Sequence, residues 1–319
     1  GNLPKPRRAG ARSRLLFAGA MQGDLRSLYT RLPSVTALAV LGTVLAVGFM
    51  ALAAWLIFPL LGTPIPLSWC IVLGAILAPT DPVSVVGMLR RLGLPLNLQS
   101  VFAGESLFND GVGVVLFGVT IGLATGDSTH VTVTEIATRF LYEAVGGGIV
   151  GAVTGWITLR IIRSTDDPHI DLLASLALAM GTFSLANHVG MSGAVAVVVA
   201  GMSLGTAHGR SAISAPSRKE LDIAWSLIDE VLNVMLFVLI GFEILEITPR
   251  LSSFVATLVI IPLSIAVRAL SVLLSTLPVH LRGDRGRMLA VLTWGGLRGG
   301  ISVSLALGLP AGEMRDLLL

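Results

Sequence analysis

GAILAPTDPVSVVGML, residues 74–89, and VFAGESLFNDGVG, residues 101–113, are two apolar stretches that carry acids where a membrane helix ordinarily carries none. In the first, Pro79 and Pro82 bracket Thr80 and Asp81 near the middle. Each proline lacks a backbone donor and frees a carbonyl one turn earlier, so a helix is expected to break there. Irregular backbone at membrane depth survives only inside protein or along a wet cavity, where freed carbonyls can coordinate a cation. In the second stretch Glu105 with Asn109, and Ser106 with Asp110, form i,i+4 pairs on adjoining faces of one helix.

The surrounding chain sets the medium. Its 319 residues are 54% hydrophobic and 13% charged, with a mean hydropathy of +0.85, which excludes a soluble domain with a polar surface. Crossing a hydrocarbon core takes about 20 helical residues. Apolar segments of roughly that length fall at 35–61, 65–89, 100–125, 140–162, 170–188, 225–247, 254–277 and 288–309. A ninth, 192–204, is short and needs a tilted neighbour or the interface to cross. Loop charge supports counting it. Loops with Arg26 and Arg31, Arg90 and Arg91, Arg160 and Arg163, Arg210, Arg218 and Lys219, and Arg282, Arg285 and Arg287 alternate with basic-poor loops only if 192–204 spans. The sequence therefore predicts an all-α polytopic membrane protein.

Other classes drop out. The single cysteine, Cys70, excludes an internal disulfide and a cysteine metal cluster, and reads as a small apolar filler. The five histidines share no metal-ligand spacing and read as interfacial. The basic balance, pI near 9.6, comes without a basic stripe interleaved with aromatics, so no nucleic-acid partner is expected. No phosphate loop and no nucleophile, acid and base set lies outside the lipid, which argues against an enzyme.

A second weak point lies near the other end, where Trp294, Gly295, Gly296, Leu297, Arg298, Gly299 and Gly300 interrupt an apolar segment around a cation. One segment earlier, Arg268 also sits in apolar surroundings. Two interrupted helices in opposite halves are the pattern of an inverted-repeat transporter whose site lies where the broken helices cross. Hydroxyls and amides such as Ser106 are explained equally well as links between helices. Ionisable groups at mid-depth are costlier, at least about 2.5–3.5 kcal/mol each, so Asp81 and Asp110 point to function. Glu105, Arg268 and Arg298 fit a functional site or a buried ion pair equally well. Asp229, Glu230 and Glu243, towards the ends of 225–247, read as solvated or interfacial, as does Glu143. The mid-membrane acids Asp81, Glu105 and Asp110 outnumber the arginines 268 and 298 by one charge. A proton or a monovalent cation neutralises that charge, and competition between them suffices for exchange.

The segments TDPVSVVGMLRRLGLP, GESLFNDGVGVVLF, FVLIGFEI and WGGLRGGISVSLAL, in this order and spacing, resemble the NhaP-like sodium/proton antiporters of the monovalent cation:proton antiporter-1 family. The likeness runs from about residue 15 to 319. It implies a thirteen-helix, inverted-repeat antiporter fold with two interrupted crossing helices, incomplete at both ends of this chain. In that frame 1–14 is a polar basic tail and 15–33 the end of a partial helix with a cytoplasmic loop. Residues 34–125 form the first half of a core, ion-binding domain, 140–163 a linker helix, 168–248 dimerisation helices, and 252–319 a truncated second half of the core.

The resemblance also implies roles. Asp110 is the principal carrier of sodium, lithium or potassium and of the proton, with Asp81, Ser106 and Thr80 around the ion and no further cofactor. Asn109 organises the site and, in place of a second acid, implies electroneutral exchange. Glu105 pairs with Arg268 or Arg298, while Pro79, Pro82, Gly295, Gly296, Gly299 and Gly300 mark the helix breaks. A homodimer in the plasma membrane is expected. The family's LLFEGAL motif has glutamate where this chain has Ala18. A cation channel and a non-transporting remnant with structural acids are the alternative functions.

Overall fold

The computed structural model describes residues 13–14, 16–21, 37–80, 96–126, 133–165, 167–246, 251–277, 285–296, 299–310 and 312–318. A π-helical turn, Ala37–Gly42, leads into α1 (Thr43–Ile57) and a 3-10 turn, Phe58–Leu61, that ends on Gly62 at φ 77°. That left-handed position suits a residue without Cβ. Helices α2 (Leu67–Leu77), α3 (Leu96–Ala124), α4 (Val133–Ile162), α5 (Pro168–His188) and α6 (Gly193–Gly205) follow. Then come α7 (Ala207–Ala212), α8 (Ala215–Glu246), α9 (Leu251–Thr276), α10 (Arg285–Trp294), α11 (Gly300–Ala306) and α12 (Glu313–Leu318). Polar residues set several of these starts. Asp167 accepts from the His169 N–H ahead of Pro168, and Ser192 accepts from the Val195 N–H at the start of α6.

Among the described residues, six helical stretches are long and apolar enough to cross a membrane: Ala39–Leu61, Gly104–Ala124, Thr138–Ile162, Pro168–His188, Ala215–Phe242 and Val255–Thr276. The other three predicted segments are not single long helices. In 65–89 the described helix stops at Leu77, ahead of Pro79. Segment 288–309 divides into α10 and α11 around the glycines. Segment 192–204 gives α6, whose 13 residues extend only about 20 Å at 1.5 Å each. A further difference concerns 225–247. Ser214 accepts from the Ser217 N–H and Pro216 takes a first-turn position, so α8 begins at Ala215 through a polar stretch. The charged residues Arg218, Lys219, Glu220 and Asp222 occupy this added start, ahead of the apolar part of the helix.

The chain divides into two compact units. One comprises Gly1–Thr30 and Thr132–Met235, and its centre is the pairing of α4 with α6. Gly147, Gly151 and Gly155 recur every fourth residue along α4 and meet the backbone or small side chains of α6 and its cap, Ser192. A Cβ at Gly151 would lie 2.1 Å from the Ala196 carbonyl oxygen, so the two backbones touch. Thr182 on α5 adds a 2.8 Å hydrogen bond to Thr154 on α4. The Trp225 indole donates to Ser175 at 2.9 Å and packs against Phe17 with ring centroids 4.6 Å apart. Outward positions of α4, among them Leu141, Val145, Ile149, Val153 and Trp156, are exposed and apolar, as lipid requires.

Gly151→Leu is expected to lower the melting temperature in detergent by at least about 5 °C, since backbone must part to admit the side chain. Gly148→Leu, on the same helix, should melt like the unsubstituted protein, because a Cβ at Gly148 would meet nothing within 4 Å. Equal melting of both variants would contradict this close packing.

The other unit comprises Arg31–Val131 and Leu236–Leu319. Its core joins α1 (Val47, Met50) and α2 (Val72, Ile76) to Phe117 of α3 and Leu305 of α11. Gly74 permits this, because a Cβ there would lie 2.6 Å from the Val47 carbonyl oxygen. The packing brings the end of α2, the middle of α3 and the start of α11 together.

Candidate functional site

The site begins where α2 ends. Helical backbone stops after Leu77, and Pro79 and Thr80 continue as irregular chain with Thr80 buried. Gly113 of α3 lies against the Pro79 ring, and a Cβ there would come within 2.6 Å of Pro79 Cγ. The chain just beyond the end of α2 is thus pressed onto the face of α3 that carries the polar residues.

Asn109 links the two elements. Its amide nitrogen donates to Thr80 Oγ1 at 2.8 Å and to Glu105 Oε1 at 2.9 Å, while its oxygen accepts the Thr80 N–H at 3.4 Å. Both amide protons are committed, so the side chain has one orientation. Thr80 Oγ1 and Ser106 Oγ share a further hydrogen bond of 2.9 Å. Glu105, fully buried, receives Arg268 Nη1 on one carboxylate oxygen and Nη2 on the other, each at 2.9 Å. That fork geometry is the strongest form of an arginine–carboxylate pair. Arg268 Nε also donates to the Leu292 carbonyl of α10 at 3.3 Å. A narrow cleft lined by Met50, Leu77, Ala78, Ser264 and Val267 also has Arg268 in its wall.

Asp110 is 8% exposed on α3, one residue beyond Asn109, and is engaged in an interaction of its own. The structure therefore brings Pro79, Thr80, Glu105, Ser106, Asn109 and Arg268 into one network, with Asp110 buried on the same helix. Asp81, Pro82 and Arg298 lie outside the described residues.

At the second break α10 ends at Trp294, and its last carbonyls are taken by Gly295 N, to Val291 O at 2.8 Å, and Gly296 N, to Thr293 O at 3.2 Å. A Cβ at Gly296 would lie 2.9 Å from Arg268 Nε, so this glycine leaves the arginine its room. Gly299 is extended and buried, and Gly300 opens α11. Ala18 is fully buried in the first unit.

One participant escaped the sequence. Ser302 of α11 donates its hydroxyl to the Pro79 carbonyl at 3.4 Å, joining α11 to the chain just beyond α2. Its only trace in the sequence is a serine just past the second glycine pair, which reads equally well as filler.

Comparisons with known proteins agree on one kinship. Residues 14–317 match the family described as sodium/hydrogen exchanger, transmembrane. The chain is 39% identical over 312 residues to the Na+/H+ antiporter NhaP of Pseudomonas aeruginosa, covering 96% of this chain and 73% of that protein. It is 32% identical over 327 residues to the Na+/H+ antiporter NhaH of Halobacillus dabanensis, covering 95% and 76%. The sodium proton antiporter MjNhaP1 from Methanocaldococcus jannaschii superposes with a TM-score of 0.79 over 94% of this chain and 72% of that one; at 23% identity this likeness speaks for the fold alone.

Proposed function

The chain belongs to the sodium/hydrogen exchanger family of transmembrane proteins, and from that membership we propose that it is a multi-pass secondary transporter exchanging sodium for protons. The observation that carries this reading is the end of α2 at Pro79, held against α3 through Thr80, Ser106 and Asn109, with Asp110 buried one residue beyond Asn109. Such a site offers carbonyl, hydroxyl and carboxylate oxygens without a hydration shell, which suits a hard monovalent cation. Lithium or potassium would be taken by the same chemistry.

Charge supports exchange over simple binding. Glu105 and Arg268 cancel within their forked pair, so Asp81 and Asp110 set the charge available to the cargo, with Arg298 the remaining arginine of the count. One proton or one cation neutralises the excess, and their competition at Asp110 couples the two flows. Asn109 carries no ionisable group and has both amide protons engaged, so it adds no second proton to the cycle. The exchange is accordingly one for one and electroneutral. In this proposal residues 34–125 and 252–319 carry the ion, and helices within 168–248 join two copies in the cell membrane.

Reconstitution of the chain into proteoliposomes tests the reading. An imposed outward proton gradient should drive sodium uptake that saturates and does not change when a permeant anion such as thiocyanate collapses the membrane potential. Uptake that never saturates and follows the potential would indicate a channel. No uptake by correctly inserted protein would indicate a remnant with structural acids.

A further inference from the structure

We propose that Ser302 is a positioning residue for cation binding, acting with Asn109 to hold the Pro79–Thr80 peptide in one orientation; the inference rests on the exchange reading above. The Pro79 carbonyl and the Thr80 N–H belong to the same peptide group, which is planar, so neither can turn without the other. Ser302 Oγ donates to the carbonyl from α11, and Asn109 Oδ1 accepts the N–H from α3, both at 3.4 Å. The plane is therefore pinned at both ends by two different elements. Its ring neighbour is pinned as well, since Gly113 leaves no room for the Pro79 ring to shift towards α3.

Hydroxyl bonds between membrane helices are common and by themselves show only packing. Here the acceptor is the carbonyl at a helix break, and the residue fixed next to it, Thr80, bonds Ser106 and Asn109. Loss of the Ser302 hydroxyl frees the plane to rotate about Asn109 and moves the Thr80 oxygens away from the cation. Both bonds exceed the usual length of about 2.9 Å, so each is weak alone and its loss alters affinity rather than folding.

Sodium titration of exchange by the full chain in everted vesicles tests this. S302A should raise the apparent KM for sodium about three- to tenfold with the maximal rate within about twofold. S302T, which keeps the hydroxyl, should restore KM to within about twofold. S304A removes another buried hydroxyl of α11, one without a hydrogen-bond partner among the described residues, and should leave KM unchanged. If S302A does not insert, S302C, near in size with a weaker donor, should give an intermediate KM. An S302A protein with unaltered KM, or an S304A protein shifted equally far, overturns the positioning role. If the unsubstituted chain shows no exchange, the proposed function fails first. Sodium protection against melting in detergent then reads the site directly, and equal sodium midpoints for S302A and the unsubstituted chain, or no protection of either, overturn the inference.

Discussion

Asparagine in place of Asp110 is expected to reduce sodium-driven proton movement to the background of vesicles without the protein, while insertion and folding are kept. The amide is nearly the same size as the carboxylate and retains an acceptor oxygen, so the 8% exposed position stays filled. What disappears is the charge and the capacity to hold a proton. In the proposed cycle the proton and the cation each neutralise the same carboxylate in turn, so an amide leaves neither flow a carrier. The loss is complete rather than graded, unlike that of S302A. Melting in detergent should move by no more than about 4 °C, since an isosteric change of this kind alters stability by about 1 kcal/mol. Asp81→Asn is expected to come close to the same phenotype. Exchange retained in a well-inserted Asp110→Asn protein would contradict the proposed carrier.

Arg268→Ala should damage the protein in the opposite way, through stability. Removing the guanidinium leaves Glu105, fully buried, without its two charge-assisted bonds and leaves the Leu292 carbonyl without its donor. Breaking a buried pair from one side costs about 3–5 kcal/mol. At about 2–4 °C per kcal/mol, the melting temperature should fall by about 6–20 °C. A double replacement, Glu105→Gln with Arg268→Met, should recover much of that loss, because glutamine still accepts from Asn109 and no bare charge remains. The preference among sodium, lithium and potassium should survive, since the described bonds of Arg268 go to Glu105 and Leu292 and not to Thr80 or Ser106. Melting of Arg268→Ala at the unsubstituted temperature would show that the pair does not hold the fold.

These contrasts follow the line between what local chemistry writes into a sequence and what only packing decides. The stop of α2 before Pro79 and the division of 288–309 at its glycines are local, because missing donors and missing Cβ atoms act within a turn. The Glu105–Asn109 bond is local too, set by helical spacing. In the sequence the partner of Glu105 is open between Arg268 and Arg298. The fold gives it Arg268, where Gly296 leaves space for the side chain. Ser302 meets Pro79 across 223 residues, and a lone serine in an apolar helix carries no signal of such a meeting. The start of α8 is hidden differently. A Ser214 cap and an early Pro216 begin the helix in residues polar enough to read as loop.

The most direct measurement is the collapse of a respiration-driven pH gradient in everted vesicles containing this chain on addition of sodium, lithium or potassium, beside Asp110→Asn vesicles with matched protein. The proposed mechanism predicts rapid, saturable collapse with sodium that is absent in the variant. No collapse with any of the three cations despite confirmed insertion, or equal collapse with Asp110→Asn, would contradict it.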